Sequence, residues 1–224
     1  MRTKLFPKLG TGTAIAAALA LALCQSVLAQ GAADAKRQDA KGLPPRATPA
    51  DYQAAAKAGT VTLAADFAGH GVPTSDGVFS TEEYVVVEVG LFGPSAAHLN
   101  LSYKDFSLRI NGKKAPLAAQ LYEGVFRSLK DPEWVPPDAP ESKSKTGIGT
   151  GGAQGDAPAA PVHMPIGLQL AMEQKVRKAS IPEGDRALPE AGLIFFLHGG
   201  KIGSIHAVEL IYNGAAGKVT LTLQ

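Results

Sequence analysis

The chain has 224 residues, with 22 Lys and Arg, 20 Asp and Glu, and a single cysteine, Cys24. Residues 1–29 contain three basic and no acidic residues, so the chain after Ala29 has 19 basic and 20 acidic residues, a net charge of about −1. This balance argues against nucleic-acid binding, which needs a basic face. Without Cys24 there is also no thiol for a disulfide, a cysteine nucleophile or a cysteine zinc site.

The N-terminal segment 1–29 has the layout of a cleavable secretory signal. Three basic residues stand at its start, namely Arg2, Lys4 and Lys8. The apolar run 13–23 is too short to span a bilayer comfortably, and the residues up to Ala29 suit a cleavage site. We therefore expect cleavage near Ala29 and a periplasmic or secreted protein without a transmembrane segment. An uncleaved anchor and lipidation of Cys24 are alternatives, although Leu23 is larger than the residue that precedes a lipidated cysteine.

Residues 30–59 are interpreted as a linker before the folded domain. Three prolines in the middle of this segment would interrupt any helix there, namely Pro44, Pro45 and Pro49. The alanine-rich stretch 51–58 could form a short helix, since alanine has the highest helix propensity. The folded domain is expected to span 60–224.

From Thr60 the sequence alternates with a period of two, which is typical of β-strands. A first strand is predicted over 60–67, followed by turn residues between Gly69 and Gly77. The strongest strand signal is 84–92, which has apolar residues on both faces. This strand is therefore expected at the centre of a sheet.

A β-hairpin is predicted around Asn111-Gly112. The strand 106–110 alternates apolar and polar residues, and the dipeptide after it accepts the positive φ angles of a tight hairpin turn. A return strand is expected to open at Lys113. The segment 122–129 fits either a strand or a short helix.

The segment 136–161 consists almost entirely of small, polar and proline residues, and Ile148 is its only large aliphatic residue. Such a composition cannot bury enough apolar surface to offset the entropy lost on ordering. Strand signals resume after it, so we interpret it as a flexible insertion within one domain.

A helix and three strands are predicted after this insertion. Leu168, Met172 and Val176 recur every four residues and predict a helix over 166–180. Pro182 and Gly184 end this helix. The strands are expected over 193–197, 205–212 and 218–223.

Short strand spacing, turn dipeptides and one intervening helix predict a mainly β fold, an antiparallel β-sandwich. Four segments resemble the strands of the exported telokin-like immunoglobulin-like domains of bacteria, namely 84–89, 106–114, 207–212 and 218–221. This resemblance implies an immunoglobulin-like fold and an extracytoplasmic location, and it brings no activity or catalytic residues. The chain departs from the family in its insertion and in the helix that follows.

The histidines do not form a recognisable metal motif. After the signal they are His70, His98, His163, His198 and His206, and none has the His-x-x-x-His type of spacing. His198 and His206 flank one turn and could come close in a hairpin. Two histidines do not complete a zinc site without a carboxylate, so no metal ligand and no cofactor are assigned.

The loop Gly69–Pro73 is the alternative candidate for chemistry. It places His70 near three carboxylates in the sequence, namely Asp76, Glu82 and Glu83. A hydrolytic or metal-dependent site could be built from these groups, but the chain has no Gly-x-Ser-x-Gly elbow to supply a nucleophile. A loop shaped by glycine and proline is the structural interpretation of the same residues.

Two features suggest an interaction surface. Lys104, Arg109, Lys113 and Lys114 cluster around the predicted hairpin, where they could contact an anionic polymer or lipid headgroups. Trp134, the only tryptophan, lies between prolines and could belong to a docking segment. A solvated hairpin face and a tryptophan covering one end of the core are the structural alternatives.

The sequence therefore favours a non-enzymatic binding or interaction module of the cell envelope, with no catalytic residue assigned. Its expected partner is an envelope or extracellular protein, or an anionic polymer, and not nucleic acid. The alternative is a hydrolase or metal-dependent enzyme that uses the loop Gly69–Pro73.

Overall fold

A computed structural model describes residues 40–135 and 164–224. The predicted signal with Cys24, the start of the predicted linker, the insertion 136–161 and His163 lie outside the described residues. The described chain is mainly β, and every pairing between its named strands is antiparallel. The predicted mainly β, antiparallel class is therefore confirmed.

The described residues form thirteen strands and one α-helix. In chain order the strands are β1 (Ala54–Ala58), β2 (Val61–Gly69), β3 (Gly71–Thr74), β4 (Gly77–Thr81), β5 (Tyr84–Phe92), β6 (His98–Leu101), β7 (Phe106–Ile110), β8 (Leu117–Gln120), β9 (Leu129–Lys130), β10 (Gly184–Ala187), β11 (Glu190–Leu197), β12 (Val208–Gly214) and β13 (Gly217–Thr222). The helix α1 spans Ile166–Ala179, close to its predicted bounds. The ambiguous segment before the insertion is a 3-10 helix, Tyr122–Ser128.

Eight strands form one sheet in the order β1-β2-β5-β11-β8-β7-β12-β13. The short strand β8 joins the two halves of this sheet. Its Leu117 and Ala118 pair with β7, whereas Ala119 and Gln120 pair with β11. The edge strands β1 and β13 lie beside each other, so the sheet is nearly closed. The strands thus form one continuous curled sheet, where the sequence predicted two facing sheets.

Strand β5 separates two apolar cores, as its period of two predicts. Val85, Val87 and Val89 are fully buried in the core enclosed by the curled sheet. Tyr84 and Val86 point to the other side, into a second core that includes residues of α1, β3, β4 and the 3-10 helix. The predicted central position of β5 is confirmed, because it pairs with β2 on one side and β11 on the other.

The predicted short helix at 51–58 is wrong. Only Pro49–Asp51 forms a 3-10 turn, and Ala54–Ala58 is strand β1, which pairs with β2 over its whole length. Ladder hydrogen bonds to β2 outweigh the helix propensity of the alanines, because tertiary context routinely overrides propensity.

Residues 40–53, which we call the N-terminal strap, pack on the domain although the sequence suggested a linker. The amide of Lys41 donates to the Lys178 carbonyl oxygen of α1 at 3.2 Å, and the amide of Leu43 donates to the Ala191 carbonyl oxygen of β11 at 2.8 Å. At the far end of the strap, the Gln53 side-chain amide donates to the carbonyl oxygen of Leu223, just after β13. The strap therefore contributes to the folded domain.

Candidate functional site

The β7–β8 turn and the β11–β12 loop lie together at one end of the large sheet. Asn111 and Gly112 have φ angles of 52° and 66°, the left-handed conformation that this dipeptide accepts readily. The hairpin at this turn is confirmed, but the return strand β8 begins at Leu117 and not at Lys113. Residues 111–116 consequently form an exposed loop.

The side chain of Asn111 ties this turn to the neighbouring loop. Its Nδ2 donates to the carbonyl oxygen of Ser204 at 2.7 Å. Its Oδ1 accepts from the amides of His206 at 2.8 Å and Ala207 at 3.1 Å. We call the two connected loops, 111–116 and 198–207, the basic loop pair.

The basic loop pair carries positive charge without a compensating carboxylate of its own. It contains Lys113, Lys114 and Lys201, all exposed, together with two histidines, and neither loop has an Asp or Glu. Arg109, which the sequence placed in the same patch, lies on β7, and its Nη1 is 2.7 Å from Oε2 of Glu209 on β12. The uncompensated charge is therefore concentrated in the loops and not on the strand.

His70, in the turn between β2 and β3, bridges strand β5 and the basic loop pair at the same end of the sheet. Its Nδ1 lies 2.6 Å from the carbonyl oxygen of Tyr84, and its Nε2 lies 3.0 Å from that of Gly200 in the basic loop pair. A neutral imidazole donates to one of these oxygens, and only the imidazolium donates to both. Both ring nitrogens thus face main-chain carbonyls, which is the geometry of a structural bridge.

His198 lies near His70, and the two side chains interact electrostatically. The Nε2 atom of His198 is buried and has no hydrogen-bond partner within the described ranges. Burial lowers the pKa of His198 below its ordinary value, and the neighbouring charges of Lys113 and His70 act in the same direction. Burial therefore favours the neutral form of the His198 imidazole over the imidazolium in the folded protein.

Replacing His198 by glutamine is expected to weaken the loss of stability on acidification. Because the folded-state pKa lies below the unfolded value of about 6.5, the unfolded chain takes up the proton first. The stabilisation from neutral His198 is present above about pH 6.5 and is lost as the pH falls through the folded-state pKa. Urea unfolding at about pH 7 and pH 5 measures the difference, with His206→Gln as an exposed control. If the unmodified protein and both variants lose the same stability between these pH values, the lowered pKa of His198 is contradicted.

Two of the three carboxylates that the sequence grouped with His70 form ion pairs with lysines. Asp76 pairs with Lys175 at 3.3 Å, and Glu82 pairs with Lys130 at 2.6 Å. No group of three or more His, Cys, Asp or Glu in residues 40–135 and 164–224 is placed to hold a metal ion.

The described part of the chain contains no helix with both the length and the hydropathy to cross a membrane.

Trp134 is the remaining residue of the predicted interaction surface. It is half-buried, and its amide donates to the Asp131 carbonyl oxygen at 3.2 Å. Lys104 is exposed and lies over the ring of Tyr103, with its Nζ 5.9 Å from the ring centroid. The described contacts do not join Trp134 to Lys113 or Lys114.

A polar cluster that the sequence did not predict fastens the N-terminal strap to the sheet. Asp66 and Glu88 are direct cross-strand partners on β2 and β5. Nη2 of Arg46 lies 2.5 Å from Oδ2 of Asp66 and 3.0 Å from Oε2 of Glu88, and the guanidinium lies 4.3 Å from the ring centroid of Tyr52. The ring of Tyr52 comes so close to β5 that a Cβ at Gly90 would lie 2.6 Å from its hydroxyl oxygen. The sequence offered one sign of this cluster, namely a single acidic residue on each of the strands β2 and β5.

Comparison with known proteins yields no matching family model, no matching curated protein and no matching solved structure.

Proposed function

We propose that this protein is a non-enzymatic binding module of the cell envelope, and that the basic loop pair binds an anionic partner. The observation that carries the proposal is the joining of two lysine-bearing, carboxylate-free loops by the side chain of Asn111. Lysines on two joined loops raise the local positive potential and attract anionic groups. Export to the envelope is supported by the signal-like residues 1–29.

The position of His70 supports a binding role over hydrolysis. Its ring nitrogens face two main-chain carbonyl oxygens, and Asp76 and Glu82 are paired with lysines. A general base needs a free nitrogen within hydrogen-bond reach of the proton that it removes. The contacts of His70 instead hold Gly200, and with it the β11–β12 loop, against the turn between β2 and β3.

The immunoglobulin-like relationship is part of the same proposal. The telokin-like segments of the sequence fall on β5, β7, β12 and β13, which all belong to the eight-stranded sheet. A two-sheet ancestor whose sheets are joined through β8 would account for the single curled sheet.

The expected result for binding is a loss of affinity for a soluble polyanion, such as inorganic polyphosphate, when Lys113, Lys114 and Lys201 are all changed to serine. We expect a decrease of about tenfold or more at low salt, because the interaction is electrostatic and screened by ions. Isothermal titration calorimetry at two salt concentrations measures it.

Two controls separate the basic loop pair from net charge. A second triple variant, with serine at the exposed residues Lys57, Lys178 and Lys218, changes the net charge equally at other positions. Asn111→Gly keeps the lysines and the positive φ while it removes the side-chain bonds between the loops, and it should weaken binding several-fold. Equal losses in both triple variants would refute the assignment of the binding face.

A further inference from the structure

An apolar side chain is exposed in the middle of the basic loop pair. Ile202 begins the 3-10 turn Ile202–Ser204 directly after Lys201, and 42% of the residue is accessible to solvent. The inner side of Ile202 covers Gly69 at the end of β2, since a Cβ added at Gly69 would lie 3.0 Å from the Cδ1 of Ile202. The isoleucine is thus held in place on one side and free to contact a partner on the other.

The surroundings of Ile202 combine positive charge with little side-chain bulk. Lys201 is its sequence neighbour, and Lys113 and Lys114 belong to the loop that Asn111 fastens to this turn. Gly199 and Gly203 face open space, since a Cβ at either position would meet no atom of the described chain within 4 Å. Neither glycine therefore places a side chain in the way of a surface that approaches Ile202.

We infer that the basic loop pair docks on the surface of an anionic phospholipid bilayer and inserts Ile202 at the boundary between headgroups and acyl chains. This inference rests on the proposed function, of which it specifies the partner. A soluble polyanion satisfies the lysines but leaves Ile202 in water, whereas an anionic bilayer offers negative headgroups and an apolar layer beneath them.

The size of each contribution can be compared. A lysine near an anionic membrane surface raises the partition coefficient by about fivefold, so three lysines supply roughly a hundredfold. Insertion of the exposed part of Ile202 adds about five- to twentyfold, given the apolar area that leaves water. The lysines should therefore control whether the protein binds, and Ile202 should control how strongly it prefers lipid to a polymer.

The test is sedimentation of the protein chain that follows Ala29 with vesicles of phosphatidylcholine, with and without phosphatidylglycerol. The unmodified protein should bind only the anionic vesicles. Ile202→Ser should lower the vesicle partition coefficient by about five- to twentyfold and reduce the polyphosphate affinity by a much smaller factor. Ile202→Phe should raise vesicle binding. Leu170→Ser, which changes an apolar residue on α1 that is more exposed than Ile202, should leave vesicle binding unchanged.

The outcomes distinguish this inference from the proposed function. If vesicle binding needs the three lysines but is the same with isoleucine and serine at residue 202, insertion is refuted and the anionic binding face stands. If neither vesicles nor polyphosphate respond to the lysine variant, both proposals fail. Circular dichroism of each variant shows whether the fold is retained, and Ile202→Phe provides a gain-of-binding result that partial unfolding would not produce.

Discussion

Replacing Leu108 by alanine is expected to lower the free energy of unfolding by about 2–5 kcal/mol. Leu108 is fully buried on β7, between Phe106 and Ile110 in the core enclosed by the large sheet. Its backbone pairs with Leu210 of β12 and Leu117 of β8, so neighbours on both sides limit collapse of the cavity. Urea unfolding at neutral pH measures the difference.

The adjacent residue provides a matched control. Arg109 is half-buried on the other face of β7, and its side chain pairs with that of Glu209, its cross-strand partner. Arg109→Ala should cost at most about 1 kcal/mol, since partly exposed ion pairs contribute little. Equal costs at the two positions would contradict the assignment of opposite faces to adjacent residues of β7.

Replacing Arg46 by alanine is expected to cost about 1.5–3 kcal/mol, the second-largest effect. The change removes charge-assisted hydrogen bonds to Glu88, with Nε at 3.3 Å and Nη2 at 3.0 Å, and the ion pair with Asp66. It also leaves two carboxylates directly opposite each other, which is destabilising on adjacent strands. Only 13% of the Glu88 side chain is accessible, so solvent screens this pair less than it screens Arg109 and Glu209.

The second half of this experiment is a double variant. Arg46→Ala combined with Asp66→Asn removes the repulsion between the carboxylates while the arginine contacts stay absent. It should recover part of the stability lost in Arg46→Ala, as measured by urea unfolding. The same Asp66→Asn change in the unmodified protein should destabilise it, because it removes one partner of Arg46. If Asp66→Asn has the same effect in both backgrounds, the two residues are not coupled.

The candidate site shows where prediction from sequence reached its limit. The composition of the loops was available from the sequence, and Lys113 and Lys114 were assigned to an interaction surface from it. Arg109 was assigned to the same surface as well. Its ion-pair partner Glu209 lies a hundred residues further along the chain, so the sequence around Arg109 gave no sign that its charge is compensated. Neither the third lysine, Lys201, nor the exposed Ile202 could be added without knowing that Asn111 joins the two loops.

The Arg46 cluster was missed for a related reason. Arg46 lies in a proline-containing stretch without any period, so nothing local distinguishes it from a linker residue. Its partners Asp66 and Glu88 come together only when β2 and β5 pair in one particular register. A shift of one residue would move either carboxylate to the opposite face.

The sequence by itself determined the elements whose conformation depends on neighbouring residues. The alternation of apolar and polar residues predicted β5, β7, β12 and β13, and apolar residues at every fourth position predicted α1. The dipeptide Asn111-Gly112 predicted the hairpin turn. Periodicity and tolerance of positive φ are local properties of the sequence. Only the tertiary structure decided that the alanines of β1 form a strand, that β8 joins both halves of one sheet, and that His70 and Asn111 draw distant loops together. Those outcomes depend on which strands pair across long sequence separations, and pairing is selected by burial of both cores at once and not by any single segment.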